Sequence, residues 1–329
     1  MRYVYNTSTD PAFNLAAEEW LLSGTTTEIF MLWRNAPAVI VGRNQNTLSQ
    51  INEVFVRERN IPVIRRLSGG GAVFHDLGNI NFTFISLGNS PEGLNFTRFT
   101  SPILEALRGM GVACEFDGRN DLVIDGRKFS GNAQHVAKDR VLHHGTLLFA
   151  SEVEDISGAL RVDPEKYRDK AVKSVRSRIT NIASHLPEPM SVSVFMDRLM
   201  AHVSGEGHMD GGLAELGLTS EEVRQIETLA ESKYRTWDWN YGYSPKYDFE
   251  RVTRTPGGVL DVRMNVDGGV LRAIRLHGDY FGIRDVGELE ARLVGCRHNR
   301  AALLECLADV PLGEFMQGVD GELFVDCLF

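Results

Sequence analysis

Apolar residues along the chain fall into short unbroken runs and longer mixed stretches. IFMLW (29–33) and AVIVG (38–42) have the length of buried strands, split by the Asn35–Pro37 turn. PVIRR (62–66) and NINFTFIS (79–86) predict two more strands on either side of a glycine-rich bend. NLAAEEWLL (14–22) is rich in helix formers and follows Asp10 and Pro11, a helix-start signal. Residues 101–110 suggest a helix ending at Gly111, and Asp125–Gly126 marks a hairpin turn. HHGTLLF (143–149) reads as a strand, so His143 and His144 must point to opposite faces.

The second half turns helical at 191–204 and 219–232, where Thr219, Ser220, Glu221 and Glu222 resemble a capped start. An aromatic, glycine- and proline-containing break follows at 237–247. Beyond it, turn signals at Pro256–Gly258 and Asp267–Gly269, with Val262, Met264 and Val266 alternating with polar positions, predict an antiparallel hairpin pair. Helical patterns at 285–295 and 300–308 finish the chain. A boundary near 245 then separates domains of residues 1–244 and 245–329.

At 329 residues, two domains are the natural expectation. The composition, 43% hydrophobic and 24% charged, is that of an ordinary globular protein. The net charge of -9 argues against nucleic acid held by bulk positive charge. No basic segment leads into an apolar one at the start, and no apolar run nears membrane-spanning length, so a cytoplasmic protein with no membrane partner is expected. Cys114, Cys296, Cys306 and Cys327 lack CxxC spacing, which favours free thiols over a zinc site or disulfide scaffold.

Candidate chemistry concentrates in three places. Arg65–Asp76 (RRLSGGGAVFHD) holds three successive glycines. They make either a wide bulge, or an anion nest whose backbone N–H groups meet a ligand beside Arg66 and Ser68. Neither a Walker loop nor a GxGxxG fingerprint is present. In Gly118–Gln134, Lys128 follows the hairpin turn and precedes the small residues Ser130, Gly131 and Ala133. It is either a solvated hairpin lysine or a cation aimed at a phosphate or acyl oxygen. Asn120 and Asp121 are either turn residues or partners for an adenine or ribose edge, with Asp121 also a candidate Mg²⁺ ligand. Lys166–Asn181 is strongly basic, either a solvated loop or a mobile one that closes over a phosphate-bearing intermediate or meets an acidic partner.

Taken in order, DPAFNLAAEEWLL (10–22), LWRNAPAVIVGRNQN (32–46), RRLSGGGAVFHDLGN (65–79), GRNDLVIDGRKFSGNAQ (118–134), HHGTLLF (143–149) and SVRSRITN (174–181) resemble the lipoate–protein ligase A family. The resemblance implies an α/β (α+β) fold: a mixed-sheet catalytic domain related to biotin ligases, with a smaller C-terminal α+β accessory domain. It implies that lipoic acid and Mg·ATP give lipoyl-AMP, and that a lysine of an apo-lipoyl carrier then takes the lipoyl group. The carrier would be a 2-oxoacid dehydrogenase E2 domain or the glycine cleavage H protein, and the enzyme a monomer. By similarity Arg66, Ser68, Gly70, Gly71, Val73, Phe74, His75 and Asn79 line the adenylate site, with Asn120, Asp121, Gly145 and Thr146 around it. Lys128 then contacts the acyl carbonyl and the α-phosphate. Leu32, Val39, Val41, Phe82 and Phe84 are candidates for an apolar slot for the dithiolane and its tail.

Three other readings compete. An octanoyl or lipoyl transferase of the same superfamily would in some cases need a cysteine, and none lies within the motifs. A biotin ligase would carry a GRGRxGR-type loop where SGGGAVFH stands. A non-catalytic lipoate-binding protein would have no need of Lys128.

Overall fold

Helix α1 runs from Pro11 to Gly24, starting where the Asp10 side chain accepts a hydrogen bond from Ala12 N and proline takes the first turn. In this computed structural model, which describes residues 1–88, 95–118, 120–160, 178–205 and 216–329, α1 is buried along most of its length. Even Asn14 and Glu18 are inside.

The main sheet has seven strands. In chain order they are β1 (Arg2–Tyr5), β2 (Ile29–Trp33), β6 (Asn79–Leu87), β7 (Glu115–Asp117), β8 (Asp121–Ile124), β9 (Arg127–Ala137) and β10 (Arg140–Leu148). Their spatial order is β1-β2-β6-β10-β9-β8-β7, with β1 and β2 parallel and every other neighbour antiparallel. A second sheet, order β4-β3-β5, joins β3 (Ala38–Val41), β4 (Val63–Arg65) and β5 (Val73–His75). IFMLW and AVIVG therefore form strands but lie in different sheets. Asn35 between them is no exposed turn tip: it is fully buried, and its amide is bonded by Asn14 on one side and His75 on the other. Strand β5 also falls where only a bend was expected, because three residues past the glycines pair antiparallel with β3.

The Asp125–Gly126 turn is a tight hairpin with both residues at positive φ, 50° and 71°. The helix expected at 101–110 starts earlier, at Phe96, and stops before Gly111, whose φ is +87°. Helix Val192–Ser204 starts at Ser191, and Ser220–Leu229 opens with a full capping box between Thr219 and Glu222. Phe82, Phe84, Ile103, Phe129, Phe195 and Leu199 belong to the core on one face of the large sheet.

Contacts divide the chain into two units: Met1–Gln45 with Gln50–Thr236, and Asn46–Ser49 with Trp237–Phe329. The cut at 245 expected from the sequence thus falls inside the second unit, which also claims Asn46–Ser49. There Thr47 Oγ1 donates to Asn240 O at 2.6 Å. The aromatic stretch is not an open break, since Asp238–Gly242 coils into a wide helical turn. The hairpin pair gains a third strand: β11 (Tyr247–Thr255) joins β12 (Gly258–Asp267) and β13 (Val270–Gly278) in one antiparallel sheet. Val262, Met264 and Val266 face its core as their alternation predicts. Helices Val286–Leu293 and Arg300–Leu307, capped by Asp285 and Asn299, cover it.

Candidate active site

The glycine bend between β4 and β5 is held by arginines rather than left loose. Arg66 donates from Nε to Ser68 Oγ (3.0 Å), from one terminal nitrogen to Ile40 O, and from the other to Gly69 O (2.7 Å) and Gly71 O (2.8 Å). Burial lowers its pKa to about 10, against the raising influence of Glu18. Arg65 is fully buried and ties the facing turn through Gly42 O, Arg43 O and Gln45 O. The two turns meet where no side chain fits: a Cβ on Gly42 would lie 2.1 Å from Gly70 O, and Gly70 itself has φ +90°. Arg66 thus spends most of its donors shaping the loop, while its charge stays at the pocket wall.

Across from this loop, the β8–β9 hairpin aims Lys128. A register shift between Leu122 and Val123 sets Lys128 opposite Val123 and Gly131 opposite Asp121. Lys128 Nζ then folds back to lie 2.8 Å from Asp121 Oδ1. A Cβ on Gly131 would come within 2.9 Å of that nitrogen, so the missing side chain makes room for the ammonium group. The backbone is pinned from outside the hairpin as well, since Thr180 N donates to Lys128 O at 2.9 Å. Of the basic stretch 166–181, residues 166–177 lie outside the described residues, as does Arg119 of the second motif.

The two adjacent histidines separate as strand geometry requires. His143 enters the core, stacked on Phe99 and Phe82, and burial pushes its pKa down to about 3. His144 faces the other way and joins a directional chain. Trp33 Nε1 donates to Thr83 Oγ1 (2.9 Å), which donates to Glu18 Oε1 (2.6 Å). Glu18 accepts from His144 Nδ1 at 3.0 Å. Ser68 Oγ, already accepting from Arg66, is hydrogen-bonded to His144 Nε2 at 2.6 Å. Glu18 was not marked in the sequence, where it sits in a helix like any good helix former; its apolar neighbours on a nearly all-buried helix were the available signal.

These elements line a partly open cavity of the kind that takes a small molecule. Of the residues the sequence singled out, Arg66, Gly70, Gly71, Val73, His75, Asn120, Lys128, Gly145 and Thr146 line it. Ser68, Phe74, Asn79 and Asp121 stand behind that wall: Ser68 on His144, Phe74 in the interior, Asn79 donating to Asn81 Oδ1 (3.0 Å), Asp121 on Lys128. The apolar wall is Leu15, Trp33 and Ile40. None of the five slot candidates borders the cavity; Leu32, Phe82 and Phe84 belong to the core on the opposite face of their strands, and Val39 and Val41 are buried beside Ile40. Gly145 is required by packing, because a Cβ there would lie 2.2 Å from Asn132 Oδ1 and 2.5 Å from the Phe82 ring. Among the described residues the carboxylate offered to a divalent cation here is that of Asp121, beside Lys128. That fits a Mg²⁺ carried mainly by phosphate oxygens, which needs only one or two protein carboxylates.

Residues 10–204 match the family model described as Lipoyl protein ligase A/B catalytic domain, and residues 244–328 match Bacterial lipoate protein ligase C-terminus. A lipoate-protein ligase of Bacillus subtilis is 40% identical over 322 residues, covering 97% of each chain. Lipoate–protein ligase 1 of Staphylococcus aureus is 40% identical over 323 residues with the same coverage. Among solved structures, the bipartite lipoate protein ligase of Thermoplasma acidophilum is 26% identical, with a TM-score of 0.65 over 74% of this chain and 97% of that one. A Plasmodium falciparum protein, 22% identical, has a similar fold with a TM-score of 0.60 over 94% of both chains. Two family models in tandem and full-length identity of this order, over a chain whose glycine loop and lysine hairpin face one cavity, place the protein in the lipoate–protein ligase family.

Proposed function

We propose that this lipoate–protein ligase works through lipoyl-AMP held in the cavity of its N-terminal unit, and that Lys128 serves both half-reactions. One observation carries the reading: the Lys128 ammonium group is aimed over Gly131 at the edge of a cavity whose other wall is the braced glycine loop. A carboxylate oxygen of lipoate attacks the α-phosphorus of ATP, and pyrophosphate leaves with the electrons of the broken P–O bond. Negative charge grows at the α-phosphate, where Lys128, the Arg66 charge and the N–H groups of Gly70 and Gly71 stabilise it. In the second step the acceptor lysine, as a free amine, attacks the acyl carbon. AMP departs with the C–O bond pair, and the proton of the amine passes to solvent. Lys128 again stabilises the acyl oxygen, and no enzyme-bound acyl group is needed. Leu15, Trp33 and Ile40 receive the apolar end of the substrate. Asp121 would help hold a Mg²⁺ ion, which would supply charge neutralisation for the phosphates of the nucleotide.

In the same reading residues 1–244 are the catalytic domain and 245–329 the accessory domain. The acceptors are apo-lipoyl domains, of E2 subunits or the H protein; support comes from the Thermoplasma protein, which was solved as part of a lipoylation system with its E2 lipoyl domain. The enzyme acts as a cytoplasmic monomer. Among the described residues no helix is long and apolar enough to cross a membrane. A cysteine-based transferase route finds no support in the geometry, since Cys114 is packed in the core with its thiol on Leu104 O. Incubation with ATP, lipoate and an apo-lipoyl domain, read by intact mass, tests the proposal. An ATP-dependent gain of one lipoyl group is expected. Pyrophosphate release without acceptor modification would remove the transfer step from this chain.

A further inference from the structure

Among the described residues, two buried polar groups on the cavity wall find no partner. His75 Nε2 and Asn81 Nδ2 make no hydrogen bond to any of them, although both side chains are more than nine-tenths buried and both border the cavity. Leaving such groups unpaired is costly, so a ligand oxygen placed against them would be favoured.

The proton on His75 is set from a distance. Asn14 Nδ2 is surrounded by acceptors: Ser8 O and Arg34 O at 2.9 Å, and Asn35 Oδ1 at 2.8 Å. Its own Oδ1 accepts from Asn6 Nδ2. Asn35 must therefore give its oxygen to Asn14, and its amide nitrogen faces His75 Nδ1 at 3.0 Å. A ring nitrogen that accepts leaves the neutral imidazole's proton on the other nitrogen. Nε2–H is thus a donor with nothing yet to donate to. Burial, with Arg66 and His144 nearby, lowers the His75 pKa to about 3, so the ring is uncharged near neutrality.

Asn81 lies on a single rung of the large sheet. Trp33 and Thr146 are its direct neighbours, Thr146 Oγ1 accepts from Gly131 N at 3.1 Å, and Gly131 pairs with Asp121. The ammonium group of Lys128 sits over that same Gly131. Asn81 therefore lies on one side of Thr146 and Lys128, over Gly131, on the other, and both residues line the same cavity.

We propose that His75 Nε2–H and the Asn81 amide form a neutral two-donor cradle for the acyl oxygens of the substrate, completing the site with Lys128, and that Asn14 and Asn35 are positioning residues that lock His75 as a donor. The proposal rests on the reading that lipoate occupies this cavity. The cradle holds the carboxylate before activation and the acyl oxygen when the acceptor amine attacks.

The tautomer is read directly by ¹⁵N NMR of the histidine rings, with His75 assigned by its loss in His75→Gln. Protonated Nε2 with bare Nδ1 is expected, and Asn35→Asp, which offers only acceptors to Nδ1, should move the proton. Lipoate binding without ATP is measured by calorimetry. His75→Leu and Asn81→Leu should each weaken it about 10–100-fold, the scale for hydrogen bonds to a charged group. His75→Gln, which returns an N–H near the Nε2 position, should recover most of the affinity. Asn81→Asp keeps the size, and should retain the fold by circular dichroism while losing lipoate. A wild-type His75 protonated on Nδ1 overturns the locking chain. Undiminished lipoate affinity in the folded variants, with a wild type that binds lipoate and releases pyrophosphate, overturns the cradle. A wild type that does neither overturns the functional reading instead.

Discussion

Lys128 and Asp121 form an ion pair 2.8 Å long, built from two strands of one hairpin and seated over Gly131. Both side chains are about a third or more exposed, so the pair adds little to stability. What it does is orient. A flexible four-carbon side chain is folded back to one position at the cavity edge, with its charge half-balanced until a phosphate or carboxylate arrives.

Lys128→Ala should lower lipoate-dependent pyrophosphate release about 10²–10³-fold, the usual cost of removing one charge-stabilising donor. With preformed lipoyl-AMP the variant should also transfer slowly to an apo-domain. Lys128→Arg should rescue poorly, since a planar fork cannot occupy the space over Gly131. Normal transfer from preformed lipoyl-AMP by the alanine variant would confine Lys128 to activation.

Gly131→Ala is a test of placement without loss of charge. The new methyl group meets only the end of the Lys128 side chain, which can move, so the fold and Tm should hold. The ammonium group must shift, and misplacement of about 1 Å costs up to about 10²-fold in rate. Wild-type turnover in this variant would show that the position of Nζ over Gly131 is not the working one.

Octanoate should be a substrate, at roughly 10–200-fold lower kcat/KM than lipoate. The cavity's apolar wall of Leu15, Trp33 and Ile40 can distinguish ligands of similar shape by only about 1–3 kcal/mol. Octanoyl transfer measured by intact mass at saturating octanoate checks this, and its complete absence would require a polar discriminator in the slot.

Stability should fall on the acid side for an identifiable reason. His75 and His143 have pKa values near 3 when folded, against 6.5 for a free side chain. As pH drops from about 6.5 to about 3, the unfolded chain takes up protons that the folded chain refuses. Unfolding is thereby favoured across that window, and below it these two groups add no further change. His143→Asn removes one of the two titrations, and should flatten the slope of unfolding free energy against pH by at most about 1.4 kcal/mol per unit. An unchanged slope in urea titrations between pH 4 and 6, taken as roughly the middle of that window, would place the acid sensitivity elsewhere.

Elements with a strong local signal were legible in the amino-acid order. The Asp10–Pro11 start of α1, the Asp125–Gly126 hairpin and the Thr219–Glu222 box appear where backbone chemistry dictates them. The opposed faces of His143 and His144 follow from strand alternation alone. The glycine loop, Lys128 and Thr146 could likewise be singled out, because unusual residue types at close spacing need no partner to be noticed.

What only the tertiary structure decided is which of these meet, and through whom. Alternation says that Leu32 and Trp33 face apart, but not which face carries the cavity; the packing of Leu32 into the core leaves Trp33 to the ligand side. Glu18, Asn35 and Asn81 look ordinary in sequence, as a helix former, a turn residue and a strand polar. Their roles arise from contacts with Ser68–His144, His75 and the cavity, across separations of tens of residues. Hydrogen bonds are short and directional, so the state of a side chain such as His75 depends on atoms placed within about 3 Å by the fold. Local sequence supplies the donors and acceptors, and only the closed structure determines which of them are left over for a substrate.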